Sequence, residues 1–416
     1  MPAQSRRDFV KLLGAVALMP PGGVGEASYV RPFKVRTITA GIELNDVTDL
    51  RPVEAAIAAL GRGKSAFELA EYEVETIRLA TSPFIASLSA RDREKALPLI
   101  QRLDALATAH SVMASVGPVL ATDRLDPDLA SWAAELARTT KSLSFSVVVA
   151  SPERGVHHQA ATVAAQTIVA LAGVTPDGVA NFRFAAAANI PPGTPFFPVA
   201  FHQGPDAMSI GLESANRVQA AFAAASDAHD ATDRLRTMLD AELAPVAGVA
   251  AALARREGWA YLGIDPSPAP GQDRSIGAAI EALTHLPFGS ASTLEACAAI
   301  TTALKTLQVR TCGYAGLMLP VLEDPVLAHR ATEGRYGIRD LLLYSSVCGT
   351  GLDVVPIPGD TAVETVARLI RDVAALSTKL HKPLSARLFP IPGKKAGDVV
   401  HFADPRLTDC AVLRVE

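Results

Sequence analysis

Leu143–Ala150 reads LSFSVVVA, the clearest strand in the chain, rich in β-branched residues. A helix is expected over about Gly155–Leu171, and a second strand at NFRFAAAAN, Asn181–Asn189. Strand, helix, strand at this spacing is the unit of a parallel α/β sheet. The alternation extends outward in both directions. Toward the N-terminus lie strands at KVRTITAGI (Lys34–Ile42) and SVMASVGPV (Ser111–Val119). Helices are expected at Pro52–Leu60, Ala66–Ala80, Ala90–Ala109 and Asp126–Arg138, where Asp126-Pro127 forms a cap pair. Within Ala66–Ala80, Phe67, Leu69, Ala70, Val74, Ile77 and Leu79 recur at roughly helical spacing. Toward the C-terminus Leu212–Arg256 reads as helix, broken by Pro245. WAYLGIDPSP (Trp259–Pro268) reads as a strand entering a proline-rich loop. Helices follow at Ser275–Leu283, Thr293–Leu307, Ile338–Ser346 and Thr361–Leu380, with a late strand at LSARLFPI (Leu384–Ile391). A doubly wound sheet and a closed barrel both satisfy this pattern, and both carry function in the loops after the strands.

The composition narrows the class. The chain has 416 residues, 49% hydrophobic and 20% charged, with only 5% aromatic, so small helix formers do much of the packing. Net charge is −4 and no basic stripe is present, which argues against nucleic acid. No uninterrupted apolar stretch reaches about 18 residues, so stable membrane insertion is not expected. The four cysteines, Cys297, Cys312, Cys348 and Cys410, form neither a CxxC pair nor a disulfide framework. No GxGxxG, P-loop or GxSxG motif occurs.

The N-terminus reads as an address. Ser5-Arg6-Arg7-Asp8-Phe9-Val10-Lys11 resembles a twin-arginine signal, followed by an apolar stretch from Leu12 to Met19 and small residues at Gly25 and Ala27. The expectation is a signal peptide over 1–27, export to the periplasm, and a single α/β domain over 28–416. The bland alternative is an amphipathic helix with chance arginines.

Four segments hold residues with chemical potential. Asn189–Pro198 packs four prolines into a stiff loop that leads to His202; the imidazole is either a pocket group or a satisfied buried one. Asp265 sits at a strand end, where it fits a catalytic or metal-binding carboxylate, or a turn cap. Glu323-Asp324-Pro325 fits a helix start, with Asp324 as N-cap and Pro325 at N1, better than a cation site. YSSVCGTGLDVVPIPGD, Tyr344–Asp360, sets Cys348 among glycines with Asp353 and Asp360 nearby. A free cysteine is more often a small buried hydrophobe than a nucleophile. The adjacent His157-His158 lacks metalloprotease spacing.

Seven stretches together carry a family likeness: VRTITAGI, NIPPGTPFFPVAFH, SIGLES, IDPSPAP, GYAGLMLPVLEDPVLA, LLLYSSVCGTGLDVVPIPGD and KPLSARLFPIPGKKAGD. They span roughly Val35–Phe402, and the chain resembles the uncharacterised bacterial and archaeal domain-of-unknown-function 711 family (DUF711). That family is placed near pyruvate formate-lyase and ribonucleotide reductase. The resemblance implies a ten-stranded closed α/β barrel with an inner hairpin loop, and Cys348 at the tip of that loop. It does not imply the radical reaction. The nearest segment to a glycyl-radical motif, Arg387–Gly393, does not match it, and a second neighbouring cysteine is missing.

Two readings of function follow. In the first the chain is an enzyme that works without a radical on a small polar molecule, with Cys348, Asp353 and His202 as catalytic groups. In the second it binds a small ligand or a divalent cation, calcium or magnesium, through Asp265, Glu213, Asp360 and Asp353. The expected partner is a small molecule, and self-association as a homo-oligomer is compatible with either reading.

Overall fold

A computed structural model describes residues 33–415, so the signal-peptide reading lies outside the described residues. Ten strands form the main sheet. They are β1 (Lys34–Ile42), β2 (Val74–Thr81), β3 (Val112–Leu120), β4 (Leu143–Ser151), β5 (Gly155–Val156), β6 (Phe184–Ala188), β7 (Ala207–Glu213), β8 (Ala260–Pro268), β9 (Gly351–Pro358) and β10 (Leu384–Ile391). The order is β8-β7-β1-β2-β3-β4-β6-β10-β9, with the short β5 paired to β4. β1, β2, β3, β4 and β6 run parallel to one another. β7 and β8 run parallel as a pair but antiparallel to β1, and β9 and β10 likewise oppose β6. The result is a mostly parallel α/β sheet of two opposed directions, and the described residues fall in one compact unit.

Most strand ends match the sequence reading, since β1 and β10 coincide with Lys34–Ile42 and Leu384–Ile391. Four strands of the sheet were not expected: β2, the short β5, β7 and β9. The helical spacing assigned to Ala66–Ala80 is wrong, because the helix runs Arg51–Leu69 and Val74–Thr81 is a strand. The physical cause is the β-branched Val74, Thr76, Ile77 and Thr81, whose burial in a ladder outweighs a weak helical period. The helix expected at Asp126–Arg138 runs Leu129–Thr139 with Asp128 at its N-cap, and Asp126 instead pairs with the buried Arg93. Pro245 does not break its helix, which runs unbroken from Ala228 to Glu257. The proline is exposed, so water reaches the carbonyl that the missing N–H frees. That helix reaches a mean hydropathy of 1.4, enough by length and composition to cross a membrane. Its apolar stripe of Leu235, Leu239, Leu243, Val246, Ala250 and Leu253 is buried, which accounts for the apolarity.

The hydrogen-bonded path is open, and no continuous ladder joins β8 to β9. Two isolated parallel bridges, Ile264 to Thr311 and Pro320 to Asp353, tie the segment between them to both edge strands. That segment contains Gly313 and Gly316, and Ala315 has φ of 45°, so it cannot run as a regular strand.

One face of the sheet is lined by small and hydroxyl-bearing residues, and the proline-rich stretch crosses it. Thr39 Oγ1 donates to the Pro195 carbonyl at 3.1 Å, Ser115 Oγ to that of Ala200 at 2.6 Å, and the His202 N–H to that of Thr81 at 3.0 Å. Ala185, Ala187, Phe196, Val199, Tyr314 and Met318 form a separate small core there. The segment laid across the sheet is therefore 190–202 and not the cysteine bend, which corrects the placement of Cys348 at the tip of an inner hairpin.

Candidate functional site

A cleft of about 310 Å³ opens where β1, β2, β3 and β4 begin. Two β-bulges aim charged side chains into it. Val35 pairs with Leu212 and Thr37 with Gly211, so Arg36 is the extra residue in β1. Ala386 pairs with Leu352 and Leu388 with Val355, which leaves Asp353 and Val354 together opposite Arg387. Val354 has φ of 48°, a conformation that β-branched residues seldom adopt, immediately beside Asp353.

The charges form a chain. Arg36 Nη1 donates to Glu75 Oε2 at 3.1 Å and to Glu213 Oε2 at 2.8 Å, and Arg36 Nη2 reaches Glu323 Oε2 at 3.4 Å. Arg274 Nη1 donates to Glu213 Oε1 at 2.6 Å. Arg387 Nη1 donates to Asp353 Oδ1 at 2.9 Å and to Glu323 Oε1 at 3.2 Å. Its guanidinium and that of Arg406 lie 4.9 and 4.7 Å from the Phe182 ring centroid, and Arg406 also holds Asp404 with two hydrogen bonds.

Arg78 is the exception. It is 6% exposed, its Nε donates to Thr76 Oγ1 at 3.0 Å, and its guanidinium lies 5.1 Å from the Phe197 ring centroid. Among the described residues no carboxylate pairs with it. Burial, and then the Arg36 charge, lower its pKa to about 9. Glu75 responds the other way: burial raises it, opposed by Arg36 and reinforced by Glu213, to about 7. Burial works to raise Glu213 too, but the Glu75 carboxyl, Arg36 and Arg274 together hold it below its ordinary value. Burial likewise raises Asp353 against the pull of Arg387.

The residues singled out by sequence are not brought together. Asp353 lines the cleft, and Glu213 stands beside it, held by Arg36 and Arg274. Cys348 lies in the aliphatic core with 0% exposure and does not line the cleft. Its glycines serve close packing: a Cβ on Gly349 would come within 2.5 Å of the Gly316 backbone. Lys382 is nearby, but its ammonium is spent on the carbonyls of Ser346 and Cys348, at 2.9 and 2.6 Å. His202 is buried beneath Gly41, with Nε2 on the carbonyls of Gly204 and Pro205, each at 2.9 Å. Asp265 is fully buried and accepts from the N–H and hydroxyl of Ser267 and the N–H groups of Tyr314 and Ala315, which pins the irregular segment to β8. Asp360 is exposed in the turn after β9.

The proposed cation ligands Asp265, Glu213 and Asp360 therefore do not converge. Among the described residues no group of three or more His, Cys, Asp or Glu is placed to hold a metal ion. Asp324 caps the helix Pro325–Thr332 as its sequence implies, and also accepts from Ser275 and from the N–H groups of Ile276 and Gly277.

Arg36, Glu75, Arg78 and Arg387 were missed as site residues, and Glu323 was weighed only as part of a helix start or a cation site. The available signal was a charge inside an apolar strand, as in KVRTITAGI, VETIRLAT and LSARLFPI, because a charge there is seldom buried without a partner.

Fold and cleft define a class: an α/β protein with an arginine-rich pocket at one end of a mostly parallel sheet. The chain belongs to the DUF711 family, described as "Uncharacterised ACR", whose model matches residues 29–404. It is 33% identical over 411 residues to a UPF0210 protein of Pyrobaculum islandicum, covering 91% of this chain and 89% of the relative. UPF0210 proteins of Desulforudis audaxviator and Neisseria meningitidis are 28% and 27% identical, covering 88% and 89% of this chain and 88% of each relative.

Proposed function

We propose that the cleft binds a small anionic molecule, a carboxylate or phosphate, on Arg78, and that Glu75 moves a proton on it. One observation carries the reading: a buried guanidinium in a cleft with no carboxylate partner. Such a charge is costly to hold unless something neutralises it, and an anionic ligand would do so with charge-assisted hydrogen bonds. Phe182, Phe196 and Phe197 supply apolar wall, and the volume suits a metabolite-sized ligand. Glu75 is suited to acid–base work because its pKa of about 7 gives both protonation states at neutral pH. A thiol role for Cys348 is no part of this reading. A divalent cation is disfavoured, since Glu75, Glu213, Glu323 and Asp353 already face guanidiniums.

Calorimetric titration with three- to five-carbon carboxylates and phosphate monoesters tests the reading. Binding that Arg78→Gln weakens by roughly 10- to 100-fold supports it. Absence of binding across the panel, or equal binding by the variant, overturns it.

Two readings carried over from the sequence remain proposals. Closure of the sheet into a barrel is supported by the bridges at Thr311 and Pro320. Export is supported by Arg6-Arg7, and undiminished periplasmic recovery after changing both to lysine would refute it.

A further inference from the structure

We infer that a surface groove joins two copies of this chain into a two-fold dimer, helix against helix. The groove, of about 510 Å³, runs between the helices Ile338–Tyr344 and Val363–Leu380 and shares no lining residue with the cleft. Its walls are Leu342 and Leu343 from the first helix and Asp372, Ala375, Leu376 and Lys379 from the second. Leu343 is 52% exposed, and Leu380, one turn beyond Leu376, is 41% exposed. Two large leucines open to water beside a groove walled by leucine and alanine mark a contact surface.

The charges say what covers it. Asp372 and Lys379 are both exposed, and among the described residues neither makes a salt bridge, whereas Arg368 and Arg371 on the same helix both hold Glu364. Seven residues are two helical turns, so the two charges share one stripe about 10 Å apart, too far to pair with each other. They lie symmetrically about Ala375 and Leu376. A second copy laid antiparallel on the same stripe sets each Asp372 against Lys379 of the other copy, twice over through one two-fold axis. Ala375 at the centre has no bulk to hold the helices apart, and the leucines of both copies close over the groove. A partner of different sequence needs the reverse charge order at the same spacing; a second copy supplies it by symmetry. A contact of this size suits a weak, reversible pair.

Sedimentation equilibrium on the full chain from about 1 to about 200 µM tests this, a span that covers weak pairs. The wild type should pass from monomer to dimer across it. Leu343→Glu should weaken the pair about tenfold or more, because it sets a charge in the apolar contact. Asp372→Lys and Lys379→Asp each bring like charges together twice and should each weaken it about tenfold or more. Mixed in equal amounts, these two charge variants restore both ion pairs and should associate as the wild type does, while neither does so alone. Rescue on mixing also excludes misfolding as the cause of the loss. A wild type that stays monomeric throughout overturns the inference and leaves the groove to another occupant. A dimer that withstands all three substitutions, or charge variants that do not rescue one another, overturns it as well by placing the contact elsewhere.

Discussion

Cys348 and Arg78 make an instructive pair. Both stand out from their surroundings, the thiol among glycines and the guanidinium inside a strand, and both are almost fully buried. The Cys348 side chain is surrounded by the aliphatic core, and the bond that Lys382 makes to this residue goes to its carbonyl and not to its thiol. Arg78 faces a cleft, and no carboxylate hydrogen-bonds it, although the Glu75 and Glu323 charges act on it from further off. Burial by itself therefore says little about function; what decides is whether the buried group is satisfied. A thiol tolerates an apolar setting because it is a weak donor, whereas a guanidinium carries five strong donors and a charge.

The comparison breaks most sharply at the paired charges. Arg387→Ala would leave Asp353 and Glu323 without their shared cation, and should cost about 3–5 kcal/mol in urea unfolding. A loss under about 1 kcal/mol would mean that the carboxylates are solvated rather than held. Arg78→Gln should do the opposite to the free protein, which becomes no less stable because a buried charge without a partner is removed. Anion affinity should fall roughly 10- to 100-fold, the worth of a hydrogen bond to a charged group. Strong destabilisation by Arg78→Gln would show that the cation has a structural partner and would undo the contrast.

Cys348→Ser should cost about 1 kcal/mol or more through a buried hydroxyl with no designed partner, read as a lower urea midpoint at unchanged slope. Anion binding should not change. A specific loss of binding with intact stability would return Cys348 to the site.

The smallest expected effect is in pH. The folded pKa of Glu75 is raised to about 7 from an ordinary 4.5, so the folded protein holds that proton more tightly than the unfolded chain. Its contribution is fully present below about pH 4.5 and is lost as pH rises through about 7. Anion affinity should weaken over the same upper range as Glu75 gains charge. Glu75→Gln should flatten both profiles, and an unaltered pH dependence of binding would remove Glu75 from the proton-transfer role.

Adjacent residues divide the same way. Asp324 was legible because an Asp-Pro pair before an apolar run is a local helix signal, and the structure uses it so. Glu323 was not legible, since its partners Arg36 and Arg387 are distant in sequence. The unexpected strands had a similar cost. β2 carries Glu75 and Arg78, β7 carries Glu213 and β9 carries Asp353, so without these strands the sequence reading could not place those charges in or beside one cleft.

The amino-acid sequence by itself determined the α/β class, the family and two strands, β1 and β10, to the residue, because β-branched runs, prolines and caps act over a few positions. It also held the bulged strand pairs and the charges that the cleft uses, but without saying that they meet. Only the tertiary structure decided that Arg36 and Arg387 share the Glu323 carboxylate, that no carboxylate hydrogen-bonds Arg78, and that Cys348 is core. Those outcomes depend on register between strands far apart in sequence, where a shift of one residue turns a side chain from one face of the sheet to the other.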